Sequence, residues 1–103
     1  RALDEFAIRK LLADYVEAYN TMDVIRVRRF KPSFTDFSRD LSSTQLTISD
    51  IRIVLSPDRQ TAGVTLTAQY KNTFKKGAGA SATPASKPTW RAQRKGDAWI
   101  LVE

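Results

Sequence analysis

Tyr15 and Tyr19 stand four residues apart in a stretch of helical periodicity, so their phenol groups share one helix face. Two phenols on one face can hold a ligand by hydrogen bonds, or can assist proton transfer when a carboxylate stands beside them. The carboxylates near the helical region are Asp14, Glu17, Asp23, Asp36, Asp40 and Asp50. General acid–base work needs one of them desolvated or paired, so that its pKa approaches the working pH. Asp23 and Asp36 precede helical patterns and read as caps, while Asp14 and Glu17 fall on a solvated face. Asp50 stands at a break in strand phase, where a bulge could re-aim it into a cavity. The chain has no His and no Cys, which removes the commonest general base, the thiol nucleophile, thiolate metal sites and disulfides. No catalytic residue, metal site or cofactor is assigned on this pattern.

The charged residues suggest binding chemistry of a different kind. The net charge is +6, and the densest basic patch is Arg26, Arg28, Arg29 and Lys31. Nucleic acid or an anionic surface is a minor alternative here, because no nucleic-acid motif surrounds the patch and dispersed Lys and Arg usually serve solubility. The preferred reading is a solvated face whose cations lie near a helix C-terminus. Gly77-Ala-Gly79 lacks the Gly-Lys-Ser/Thr ending of a phosphate loop and reads as flexible by composition. Trp99 reads as core, whereas Trp90 beside Arg91 is the better tryptophan for a ligand to stack on.

These residues must be positioned by a small number of elements. Ile8, Leu11, Leu12, Tyr15, Val16 and Tyr19 recur at helical spacing, which predicts a helix over 3–20 with Asp4 near its start as a cap. Asp23 reads as the cap of a second helix that runs to about Phe30 and stops before Pro32. Ser33-Phe-Thr-Asp36 resembles a capping box and predicts a third short helix carrying Phe34, Phe37 and Leu41. Apolar residues then alternate. Leu46 and Ile48 are out of phase with Ile51, Ile53 and Leu55, which predicts a bulge at Ser49-Asp50. Residues 56–60 carry turn chemistry, and Ala62, Val64, Leu66, Ala68 and Tyr70 mark a strand with one apolar face. Residues 75–88, rich in Ala, Gly and Ser, read as a mobile hairpin connection. A strand over 89–95, a turn at Gly96-Asp97 and a last strand over 98–102 complete the pattern.

The stretch from Ile8 to Asp23, with its hydrophobic pair, later aromatics, short break and Asp, resembles the opening of the SnoaL-like, or nuclear transport factor 2-like, superfamily. The closing stretch from Trp90 to Trp99, aromatic and basic before Gly-Asp-Ala-Trp, is similar to that superfamily's last hairpin. The resemblance covers almost the whole chain. It implies a cone of three helices against a strongly curved antiparallel sheet, with a pocket at the open end. Phe30-Lys-Pro-Ser-Phe34 more closely resembles such domains at the C-termini of larger bacterial proteins, including some serine/threonine kinases. The dehydratase-type enzymes of the superfamily depend on a His that this chain lacks. The isomerase type pairs a Tyr, which Tyr15 or Tyr19 could match, with carboxylates that the apolar face of the 62–70 strand does not offer.

The expectation is therefore one α+β domain over 1–103, a fragment of a longer protein: three N-terminal helices on a strongly curved, cone-like (cystatin-like) sheet of four to six strands. The expected role is a non-catalytic accessory or sensory module of a larger bacterial protein. It would bind a small molecule or a protein partner in a pocket lined by Tyr15, Tyr19, Phe34, Phe37, Tyr70 and Trp90. The alternatives are a small isomerase or dehydratase-type enzyme using Tyr and Asp, and a dimerisation domain that forms a homodimer through its sheet. The compartment is set only if the kinase-tail resemblance holds, in which case it is extracytoplasmic. No run approaches the roughly 18 apolar residues a membrane span needs.

Overall fold

The apolar stripe from Ile8 through Leu11, Leu12, Tyr15 and Ala18 builds α1 (Ala2–Asn20) and is buried along its length. The computed structural model describes residues 2–75 and 79–102. Lys76, Gly77 and Ala78, part of the segment expected to be mobile, lie outside the described residues, as do Arg1 and Glu103. α1 closes through Met22, whose φ is 55°, with its amide donating to the Tyr19 carbonyl at 2.9 Å. Asn20 does more than end the helix. Its side-chain amide donates to the Leu46 carbonyl at 3.1 Å and accepts from the Leu46 amide at 2.6 Å, acting as a one-residue strand partner. The second helix, α2 (Val24–Phe30), starts as expected: the Asp23 carboxylate accepts from the Arg26 amide at 3.1 Å.

Among the described residues two helices are present, and the third expected over 33–41 is not. Residues 33–40 form turns and irregular chain. The Arg28 guanidinium donates to the Phe34 carbonyl at 3.2 Å and also to the Thr35 carbonyl, engaging acceptors that a helical turn would need. Asp36 accepts from the adjacent Phe37 amide at 2.7 Å, not from an amide two or three residues on, so it caps nothing. Phe34 and Phe37 are drawn instead against the Tyr19 ring.

The sheet is antiparallel and strongly curved, a half-barrel under the two helices. A long hairpin of β1 (Leu41–Leu55) and β2 (Thr61–Phe74) forms its spine; β3 (Ala80–Ala82), β4 (Thr89–Lys95) and β5 (Ala98–Val102) follow. The order is β1-β2-β4-β5, with β3 on the same edge of β2 as β4. The predicted bulge is there. Leu46 pairs with Tyr70 and Ile48 with Ala68, but Ile53 pairs with Val64 and Leu55 with Ala62, so β1 absorbs one extra residue between Ser49 and Arg52. Asp50 takes a left-handed φ of 54° to do so. The extra residue lets both halves of β1 turn their apolar side chains to the same core.

The small-residue segment is more ordered than its composition suggests. Besides β3, the amides of Leu66 and Ala68 donate to the carbonyls of Pro88 and Ser86, and the Thr83 amide donates to the Tyr70 carbonyl. Backbone pairing needs no side chain, and this edge of β2 would otherwise present unpaired groups. Residues 79–88 therefore run as an irregular extra strand along β2.

Asp4 does not cap α1. It lies inside the first turns of α1, not before them, and only 7% of its surface is exposed. Its carboxylate accepts from Arg94 on β4 at 2.5 Å and from Arg59 at 2.9 Å. Arg59 sits in the β1–β2 turn with a φ of 58°, and Arg94 also lies over the Trp99 ring at 4.8 Å. One carboxylate thus ties α1, the hairpin turn and β4 together. The guanidinium donors, Arg59 first and then Arg94, hold its pKa down to about 2 from an ordinary 3.8.

Two predictions follow from this architecture. A depressed carboxylate pKa contributes stability that is complete above the unfolded value and disappears as pH falls through the folded value. Thermal unfolding should therefore show a loss of stability between pH 3.8 and about 2 that is smaller in Asp4→Asn, and Asp4→Asn should melt lower than the parent at pH 7. Identical acid profiles for the two would refute the clasp. At the bulge, Asp50→Val should cost about 1–2 kcal/mol in urea unfolding, because a β-branched residue resists a left-handed backbone. Asp50→Asn, which tolerates that backbone, should stay within about 0.5 kcal/mol.

Candidate ligand cavity

α1 carries Tyr15 and Tyr19 one turn apart, and the rings pack at 5.8 Å between centroids. Tyr15 meets Trp90 of β4 edge-on, also at 5.8 Å. Tyr19 is the hub on the other side: its ring lies 5.0 Å from Phe37, 5.8 Å from Tyr70 and 6.2 Å from Phe34. Phe34 and Phe37 touch each other at 4.9 Å. All six aromatic residues expected at the site therefore form one continuous cluster, in geometries that aromatic quadrupoles favour.

The cluster divides into a filled part and an open part. A cavity of about 480 Å³ adjoins Tyr15 and Trp90, and Leu101 and Val102 add apolar wall. Lys31, Arg91 and Thr89 supply its polar groups, and Gly63 leaves a gap in the β2 wall. Tyr19, Phe34, Phe37 and Tyr70 do not line it; they fill the cone beside it. The cavity lies where β4 begins, β5 ends and α2 closes on Lys31. A second hollow of about 650 Å³ lies over the far end of the hairpin, between Gln45, Lys71, Asn72 and Ser81.

Burial sets the protonation of the phenols. It pushes the Tyr15 hydroxyl well above its ordinary range, with smaller contributions from Tyr70 and Tyr19, and it pushes Tyr19 up to about 12. Tyr70 moves in the same direction for the same reason. These phenols keep their protons at neutral pH, so they can donate hydrogen bonds but do not serve as bases. Among the described residues no carboxylate lines the cavity, and the chain has no His. Asp50 faces elsewhere: its carboxylate accepts from Thr67 at 3.0 Å at an exposed position. Asp14 pairs with Lys10 and Glu17 with Arg26. Among the described residues, no cluster of Asp and Glu could hold a metal ion.

The basic patch is dispersed by these contacts. Arg26 is taken by Glu17, Arg28 by the carbonyls of Phe34 and Thr35, and Arg29 is exposed, while Lys31 joins the cavity. Reading by residue type passed over Arg91 as a wall residue and Asp4, Arg59 and Arg94 as a network. A signal for the network existed. Asp4 lies on the apolar face of α1, in line with Ile8, Leu11 and Tyr15, and Arg94 alternates in phase with Trp90 and the buried Ala92. A lone acid and a lone base on two inward faces call for each other.

Among solved structures, a conserved protein from Planctomyces limnophilus superposes over 100% of this chain and 96% of its own, with a TM-score of 0.76 at 16% identity. A Streptomyces avermitilis protein of the nuclear transport factor 2-like family, provisionally described as a dehydratase, covers 98% of this chain and 93% of its own, with a TM-score of 0.69 at 13% identity. This chain has the nuclear transport factor 2-like fold. Another structure sharing this fold, the hexachlorocyclohexane dehydrochlorinase LinA-type3 from Novosphingobium barchaimii, covers 98% of this chain and 86% of its own, with a TM-score of 0.73 at 10% identity. No family model matches the sequence, and no curated protein aligns with it.

Proposed function

We propose that this chain is a non-catalytic ligand-binding module, serving as an accessory or sensory part of a larger bacterial protein. It takes a small, planar, largely apolar molecule in the cavity beside Tyr15 and Trp90. The observation that carries this reading is the wall itself: aromatic and aliphatic surface with a few polar groups and, among the described residues, no carboxylate or imidazole to move a proton. The volume, about 480 Å³, is within the range of small-molecule sites. Tyr19, Phe34, Phe37 and Tyr70 support the site from behind, holding the Tyr15 ring against Trp90.

An enzyme of the dehydratase or isomerase type is the second reading, favoured by the names of the solved neighbours and by the protonated phenols that face one another in the cone. Among the described residues it has no carboxylate base at the cavity. The test is to incubate the chain with planar aromatic alcohols and hydroxy-ketones, following heat by calorimetry and products by chromatography. Saturable binding without product, weakened by Trp90→Ala, is the expected result. Loss of water or isomerisation of a hydroxy-ketone that stops in Tyr15→Phe would overturn the non-catalytic reading. Absence of any saturable binding would end the small-molecule reading and leave a protein partner at the open end of the cone.

A further inference from the structure

We infer that the cavity selects a planar apolar molecule that carries one negative charge, with its acid group held by Lys31 and Arg91. This inference rests on the proposed reading of the cavity as a binding site. The argument starts from charge. Among the described residues, Lys31 and Arg91 are the two charged residues that line the cavity, and they have the same sign. Neither pairs with a carboxylate among the described residues.

Four acids of the described residues are engaged elsewhere. Asp4 serves Arg59 and Arg94, Glu17 serves Arg26, Asp14 serves Lys10, and Asp23 caps α2. Two like charges bordering apolar wall are costly to strip of water without a counter-charge, and a bound anion supplies one. The two cations complement each other chemically. A guanidinium can hold a carboxylate through two parallel hydrogen bonds, while an ammonium adds a point charge from any direction. Tyr15 and Trp90 offer ring surface to the rest of the molecule, and Thr89, next to both Trp90 and the cavity, adds a hydroxyl. The ligand class is thus an aromatic or fused-ring monocarboxylate.

The experiment compares two probes of nearly equal shape, 2-naphthoate and 2-naphthalenemethanol, by calorimetry on the full chain at fixed ionic strength. Naphthoate should bind at least about tenfold more tightly than the alcohol, the scale of one charge-assisted hydrogen bond. Lys31→Gln and Arg91→Gln should each lose about tenfold for naphthoate and leave the alcohol unchanged, and Lys31→Arg should restore binding. Arg29→Gln, an exposed cation off the cavity wall, should change neither. Equal affinity for the two probes in the parent would overturn the anion preference while leaving the cavity as a binding site. So would an Arg29→Gln loss as large as that of Lys31→Gln, since the effect would then be general charge steering. Failure of both probes to bind would remove the site and this inference together.

Discussion

The phase reversal in β1 is the constraint on which the rest of the molecule depends. A strand alternates its faces with a period of two, so a regular strand from Leu46 to Leu55 would bury one half of its apolar residues and expose the other. One extra residue at Asp50 corrects the phase, and a bulge also increases local twist and bends the strand. The bent hairpin lets Leu46 and Ile48 on one side, and Ile51, Ile53 and Leu55 on the other, close around the same helix. Without that bend α1 would lie on a flatter sheet, and Tyr15 would not meet Trp90 across the cone.

The Asp4 clasp works at the opposite margin of the core. It places charge where the apolar stripe of α1 meets the hairpin turn, and it is satisfied from that turn and from β4 at once. A buried ionic group of this kind is weak evidence for stability by itself. Its effect here is positional: three elements distant in sequence share one carboxylate, which restricts how α1 can slide along the sheet. Arg94 then extends the contact to the Trp99 ring, on the strand that also forms the cavity wall through Leu101 and Val102.

Within the cone, aromatic packing and open space compete for the same volume. Tyr19, Phe34, Phe37 and Tyr70 fill one side, and the loop that brings in the two phenylalanines is anchored by Arg28 rather than by helical hydrogen bonds. What stays open is the side bounded by Tyr15, Trp90 and the two cations. Phenols raised in pKa by burial and without a carboxylate partner fit recognition better than proton transfer.

Periodicity by itself determined most of the elements: the stripe of α1, the Asp23 cap, the strand from Ala62 to Tyr70, the closing hairpin and the bulge, because each is a local pattern written in a short window. It also marked all six aromatic residues of the cluster, since large rings on inward phases have few other places to go. Local pattern misled at Ser33–Asp36, where the capping-box spacing was outweighed by Arg28 and by ring packing from outside the segment. Composition misled at residues 79–88, because backbone hydrogen bonds to β2 leave no trace in side-chain type. Which aromatics face open space, which cations reach the cavity, and which arginines answer Asp4 were decided only by the tertiary structure. Those pairings join residues up to 90 positions apart, and no sequence window spans them.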